Sequence, residues 1–369
     1  MAGLLVARDL RRLGVGRVVV LERDVAGHGM TGRSSGGIRR QFATPLEVQL
    51  TLAAWPFFEQ VLADPAFSGR FERLGYAFLA GPAEVERLRA AWQVQRALGV
   101  ASEWLEPAQL HERFPYCATD DLAGGTYCPD DGFIDPWETH AWLLHACRTL
   151  GVEVREGSEV SHLDPGPGGH VVVGSGPASW SAEAVVVCAG AWARGVVRLA
   201  GADVEIDPSP RVKLVTDPLP ALPADMPLIT DLGSGAYVRS DHGRAMVGVS
   251  PRQRRVSFAV EAGQDLLASM AETAARRFPS LAEASLAHLV TGLYEITPDG
   301  LPIAGRLEAA PGLYVLGGFN GHGIMHSPPL ARALAELIVT GRPTHFDLGP
   351  FDPGRFGGAG QAQRSTTLL

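Results

Sequence analysis

The stretch RVVVLE (17–22) constrains this chain more than any other. A short β-branched apolar run closing on an acid reads as a buried parallel strand. Ahead of it, GLLVARDLRRL (3–13) reads as an amphipathic helix. Leu4, Ala7, Leu10 and Leu13 share one face, and Arg8, Arg11 and Arg12 fall elsewhere. Helix, glycine turn, strand and acid together form the second half of a dinucleotide-binding βαβ unit. Gly3 stands where the last glycine of a G-x-G-x-x-G turn belongs. The first strand and the rest of that turn are therefore expected upstream of residue 1, with the start codon there too. In this strand order the first strand is central, so its lack predicts a gap in the sheet.

Composition closes off several functions. The 369 residues suffice for two domains or one large domain with an inserted layer. A net charge of −8 argues against nucleic-acid binding, which needs a basic face. No apolar run reaches the roughly 18–20 residues of a membrane span. Arg8, Arg11 and Arg12 interrupt any signal-peptide core, so a cytoplasmic location is expected. The four cysteines form neither C-x-x-C nor a metal-ligand spacing with histidine, so reduced thiols and no metal are expected. Lys213 is the only lysine, and Schiff-base chemistry could use no other residue.

Along the chain the element types interleave. Helices are predicted at 45–63, 82–98, 137–151, 261–277 and 329–341. EAVVVCAG (183–190) and GLYVLGG (312–318) read as strands returning to a parallel sheet. Between them, 204–260 holds short alternating runs split by Pro, Gly and Asp, the pattern of an antiparallel sheet. The tail 349–369 lacks apolar periodicity and is expected to be mobile towards its end.

Three stretches carry chemistry. Glu22 at a strand end suits ribose hydroxyls, and Gly3 with the following amides offers a helix N-terminus to a pyrophosphate. In TGRSSGGIRR (31–40) the glycines let backbone approach a ring or phosphate, and Arg33 with the serine hydroxyls suits a diphosphate. Arg39 or Arg40 suits a substrate carboxylate by bidentate pairing. GGFNGHGIMHSP (317–328) follows a strand and opens a helix, which makes a positive spot. His322 and His326 lack the partners of a metal site and read first as structural.

These residues resemble the D-amino-acid-oxidase-like superfamily of FAD enzymes, nearest its sarcosine oxidase, dimethylglycine dehydrogenase, glycine oxidase and proline dehydrogenase branch. The resemblance covers about residues 3–345. It rests on GLLVARDLRRLG…VVVLER, SGGIRRQF, DGFIDPWE, VVVCAGAWA, GLYEITPDGLPIAG and GLYVLGGFNGHGIMHSP, in that order. It implies an α/β fold: a Rossmann-type FAD domain lacking its first strand (1–80, 135–205, 292–345), interleaved with an antiparallel substrate domain (81–134, 206–291). It implies one noncovalent FAD with Glu22, and Arg23 beside it, at the adenosine ribose. Ser34, Ser35 and Gly36 would line the pyrophosphate and flavin, and Val160 would present backbone to the adenine. Ala189 and Gly190, with Trp192, would flank the ribose side. Asn320, Gly321, His322, Gly323 and Ile324 would face the isoalloxazine.

For the reaction, the resemblance implies oxidation of a small secondary or tertiary amine or amino acid by hydride transfer to flavin N5. Arg39 would take the carboxylate, with Tyr294, Tyr237 and Met325 around it. Two positions that carry lysines in monomeric sarcosine oxidases are Met246 and Met325 here, which favours a dehydrogenase or a different substrate. Gly292 stands where some relatives attach flavin through cysteine, and His28 lies near where others use histidine, with a poor local match. A partner subunit or external electron acceptor is left open. The competing readings are an NAD-linked dehydrogenase and a non-catalytic subunit of the same fold.

Overall fold

The computed structural model describes residues 1–166, 168–251 and 253–356. The chain enters on α1 (Ala2–Arg12) and β1 (Val19–Leu21), then passes through β2 (Gly37–Ile38) to α2 (Pro45–Ala63). Next come β3 (Phe71–Glu72), β4 (Tyr76–Ala80), α3 (Val85–Ala97), β5 (Glu103–Leu105), α4 (Pro107–Arg113), β6 (Gly124–Cys128) and β7 (Gly132–Ile134). Helix α5 (Pro136–Thr149) leads to β8 (Glu153–Arg155), the meander β9 (His162–Pro165), β10 (Val171–Ser175) and β11 (Ala178–Ala182), then β12 (Val185–Val187) and α6 (Ala193–Arg198). The second half holds β13 (Asp207–Pro218), β14 (Leu228–Asp231), β15 (Ala236–Asp241), β16 (Arg244–Val249), α7 (Gln264–Arg277) and β17 (Leu286–Ile296). It closes with β18 (Ile303–Arg306), β19 (Leu313–Gly317) and α8 (Gly323–Thr340).

The parallel layer is in two pieces. Strand β1 pairs only with β8, and β12 pairs in parallel with β19, whose other edge takes β18 antiparallel. No described strand joins the two pieces, and the facing residues of β1 and β12 line one cavity. The gap expected from the sequence is thus present. Helix α1 packs against β1, β19, α5 and α8 and bridges the two pieces from below. Its burial exceeds the expectation of a one-sided helix. Arg8 and Asp9 are both buried and pair at 2.9 Å, so Arg8 is not on a solvent face. Its guanidinium lies over the Phe57 ring, where burying the stem offsets part of the charge cost.

The second layer is an eight-stranded sheet in the order β17-β13-β16-β15-β14-β4-β6-β5. It is antiparallel except where β14 pairs with β4 in parallel. Val212, Leu214, Val238 and Val247 pack on one face with Met270, Ala274 and Phe278 from the α7 side. The expected domain limits shift accordingly. Strand β4 (within 1–80) belongs to the large sheet, and β17 carries that sheet past residue 292 through pairing of Asp207–Thr216 with Leu286–Ile296. The reason is register: β13 is 12 residues long, so its partner must continue beyond the assumed boundary. The start of the tail also differs from expectation. Residues 349–356 form two short 3-10 turns, with Phe351 fully buried and Arg355 paired to buried Asp299 at 2.8 Å. The rest of the tail lies outside the described residues.

Local chemistry sets the element ends. The Asp135 carboxylate accepts the Trp137 and Glu138 amides at 2.8 and 2.9 Å, with Pro136 following as the first helical residue. Helix α8 ends at Gly341, whose φ of 77° gives a left-handed cap. No described helix is long and apolar enough to cross a membrane. Asp135→Ala removes two cap bonds and is expected to destabilise the fold by about 1 kcal/mol. A lowered urea midpoint checks this, and an unchanged midpoint would show that α5 needs no cap.

Candidate active site

One cavity of about 1500 Å³ runs from the ends of β1 and β12, past α1, to the exposed face of the eight-stranded sheet. This exceeds the volume of an ordinary small-ligand pocket and suits a long dinucleotide together with a small substrate.

At its first end lie Glu22, Arg23, Val160, Ala189, Gly190 and Trp192, all expected there from the sequence. The Glu22 amide donates to Arg155, and its carboxylate accepts the Asp24 amide at 3.0 Å, which fixes the turn after β1. Arg23 stacks on Trp192, 4.6 Å from the ring centroid. Gly3 also lines the cavity, with Cys188 3.4 Å from where its Cβ would stand.

In the middle the segment 31–37 folds over the cavity. Arg33, Ser34 and Ser35 line it. Gly36 does not, although the sequence reading placed it there; Gly37 does. Gly36 has a φ of +69°, and a Cβ on it would lie 2.1 Å from the Ile134 carbonyl, so this glycine serves the turn. Arg40, the alternative carboxylate ligand, is used elsewhere: it pairs with buried Asp131 at 3.4 Å and lies over Trp55. Arg39 is the one that lines the cavity, buried, over Phe42 and in contact with His322 Nε2 at 3.1 Å. Burial lowers its pKa, with Tyr76, Glu47 and Asp131 favouring the charge.

The loop 318–323 after β19 is held from β17. The Glu295 carboxylate accepts the Gly318 amide at 3.0 Å, and its carbonyl accepts the Asn320 amide at 2.9 Å. Asn320 Oδ1 in turn accepts the Thr297 amide at 3.1 Å. Asn320 and Gly321 both take positive φ, 53° and 92°. The loop therefore turns its face, with His322 and the N-terminus of α8, into the cavity. Gly321, His322, Gly323, Ile324 and Met325 all line it. His326 does not: its Nε2 meets Thr51 Oγ1 at 3.2 Å in the core. Met246 and His28 are also outside the lining. Among the described residues no group of His, Cys, Asp and Glu could hold a metal ion.

The far end is aromatic and cationic. Tyr294, Tyr237, Tyr76 and Phe78 stand there with Arg39, Arg211 and Lys213. Burial raises the pKa of Tyr76, Tyr237 and Tyr294, so all three are neutral hydroxyls. Lys213 Nζ donates to the Arg33 carbonyl (2.8 Å) and to Ser35 Oγ (3.0 Å), and burial pushes its pKa down to about 8. Sequence reasoning missed Arg211, Lys213 and Glu295 as site residues. The signal was legible in PRVKLVT: Arg211 and Lys213 alternate with core residues Val212 and Leu214, so both cations share the face away from the core.

The residues fit an extended FAD. Helix ends, glycine loops and neutral hydroxyls converge on one long cavity, and the family comparison decides the matter. The family described as "DAO: FAD dependent oxidoreductase" matches residues 1–337. The chain belongs to this family. Dimethylglycine dehydrogenase of Rattus norvegicus is 28% identical over 378 residues, covering 96% of this chain and 44% of that protein. An "FAD-dependent oxidoreductase domain-containing protein 1" of Xenopus laevis is 30% identical over 393 residues, covering 94% of this chain and 78% of that one. The crystal structure of L-proline dehydrogenase from P. horikoshii superposes with a TM-score of 0.87 at 24% identity, covering 96% of this chain and 94% of that one. The chain spans about half the length of dimethylglycine dehydrogenase. The comparison establishes the Rossmann-type fold, with FAD as the family's cofactor.

Two predictions follow from the loop. A Cβ on Gly321 would lie 2.4 Å from the Tyr294 ring, and its φ is left-handed. Gly321→Ala is therefore expected to weaken FAD binding at least tenfold in a fluorescence titration; unchanged affinity would show that the loop does not face the cofactor. Burial also pushes the Glu295 pKa up to about 7, against the opposing pull of the Gly318 and Phe319 amides. The unfolded acid titrates near its ordinary range, so the folded chain holds this proton longer, and the contribution to stability is lost as pH rises from about 4.5 to 7. Glu295→Gln keeps an acceptor for Gly318 and removes that loss. The variant minus wild-type difference in urea midpoint is expected to rise across this window; a flat difference would place the carboxyl in water.

Proposed function

We propose that the chain is an FAD-dependent oxidoreductase of small secondary or tertiary amines or amino acids that carry a carboxylate. The carrying observation is Arg39, a buried guanidinium at the aromatic end of the cavity, beside the 318–323 loop that faces the cofactor. Bound FAD supplies the two-electron acceptor, taking a hydride from the carbon next to nitrogen.

The chain's own residues supply position and electrostatics. Arg39 holds the carboxylate by a bidentate pair and so fixes where the amine carbon lies. Tyr76, Tyr237, Tyr294 and Phe78 wall the pocket and exclude water, which strengthens that pair. The α8 N-terminus and the amides of 321–323 supply positive potential to the cavity, which would stabilise negative charge on a reduced cofactor held there. No side chain in this pocket is assigned as an obligatory base; the substrate nitrogen reacts unprotonated. The names of the relatives, which act on dimethylglycine and proline, support this substrate class. The flavin is read as noncovalent, and the compartment as cytoplasmic.

Arg39→Met keeps an unbranched stem over Phe42 and removes the charge. It is expected to raise KM for a carboxylate substrate more than tenfold, with the flavin content of the purified protein retained. An unchanged KM would remove Arg39 from substrate binding.

A further inference from the structure

Arg211 faces the cavity from β13, on the wall built by the eight-stranded sheet. Its guanidinium lies 4.4 Å over the Tyr294 ring. Its Nη1 donates to Ser209 Oγ at 2.7 Å and to the Pro210 carbonyl at 2.9 Å, both uncharged acceptors. Among the described residues, the groups that act on its charge are Tyr294, Tyr237 and Arg254, with no carboxylate among them. The surroundings add positive charge: Arg254 bears on it unfavourably, while the nearest favourable groups are the hydroxyls of Tyr294 and Tyr237.

Arg39, from the segment after β2, meets His322 Nε2 at 3.1 Å, and a Cβ on the adjoining Gly321 would stand 2.4 Å from the Tyr294 ring, so Arg39 and Arg211 flank the same loop and tyrosine. Two arginines from different walls therefore converge on one tyrosine. The same lining holds Tyr76, Phe78, Leu228, Thr230 and Tyr237, and its acid Glu295 is engaged by the Gly318 amide. A desolvated guanidinium with neutral partners is costly unless an anion arrives. The planar fork of arginine is suited to a carboxylate, and Lys213 is engaged by the 33–35 segment.

We infer that the substrate is an amine bearing two carboxylates, one held by Arg39 and the second by Arg211, with the nitrogen between them. This inference rests on the amine-oxidising reading above and narrows its substrate class. Arg211 is then the residue that selects two acids over one.

The test is equilibrium binding to the FAD-loaded protein by calorimetry, with perturbation of the flavin absorbance as a second readout. Unreactive probes suffice: malonate, succinate and glutarate against acetate and propanoate. At least one dicarboxylate is expected to bind more than tenfold tighter than either monocarboxylate. Arg211→Gln is expected to abolish that preference while leaving monocarboxylate affinity within twofold, and Arg39→Gln to weaken both classes. Arg211→Lys should restore part of the preference. Equal binding of both classes by the wild type overturns the inference without needing a variant. So does an Arg211→Gln protein of full flavin content that weakens both classes alike, the outcome expected of a mere brace for Tyr294. The underlying reading fails separately: if a monocarboxylate amine reduces the flavin and dicarboxylates show no advantage, the oxidoreductase stands and only this inference falls. If dicarboxylates bind and no amine reduces the flavin, the reaction assignment falls instead.

Discussion

The structure depends on how β17 grips the loop after β19. The loop must turn its face into the cavity, and it does so through positive φ values at Gly318, Asn320 and Gly321, of which Asn320 is the uncommon one for a residue with a side chain. The grip comes from outside the loop: the Glu295 carboxylate and carbonyl take two loop amides, and Asn320 closes the circuit with Thr297. These bonds join the last parallel strand to the edge of the large sheet. They fix the loop relative to the cavity wall built by the large sheet, and a displacement there would carry Tyr294 with it. The carboxyl is buried to do this, and burial raises its pKa to about 7.

Charge is graded along the cavity. The β1–β12 end carries both signs, Glu22 and Glu159 with Arg17 and Arg23. The sheet end carries Arg39, Arg211 and Lys213 among neutral phenols. On the proposed reading, the cofactor ring and a carboxylate-bearing substrate belong at the second end. The helix N-terminus at Gly323 adds to the same field.

Much of this was legible in the chain, for identifiable reasons. RVVVL, EAVVVCAG and GLYVLGG are apolar runs ending in glycine or acid and read as strands; β19 is largely buried, while β1 and β12 stay half-buried because they line the cavity. Helix α2 was read with the same ends it has, because Thr44, Pro45 and Asp64 mark both termini. Arg39 was separated from Arg40 only weakly, since one residue's difference in facing is invisible until Asp131 is seen to take Arg40. The burial of Arg8 was not legible, because a helix bridging two half-sheets is covered on more faces than a helix lying on one. Neither was the role of Glu295, whose partners lie 23 residues along the chain in a loop shaped by φ values that sequence does not print. Arg211 and Lys213 were within reach by strand alternation but were outweighed by the louder glycine motifs.

The central claim is that one continuous cavity brings FAD and an amine carboxylate together. Anaerobic addition of candidate amines to the FAD-loaded protein, followed by visible absorption, tests it most directly. The account predicts that a carboxylate-bearing secondary or tertiary amine bleaches the flavin, and that the matching amine without a carboxylate does so far more slowly. A retained flavin that no such amine bleaches, or one bleached equally well without the carboxylate, would contradict it.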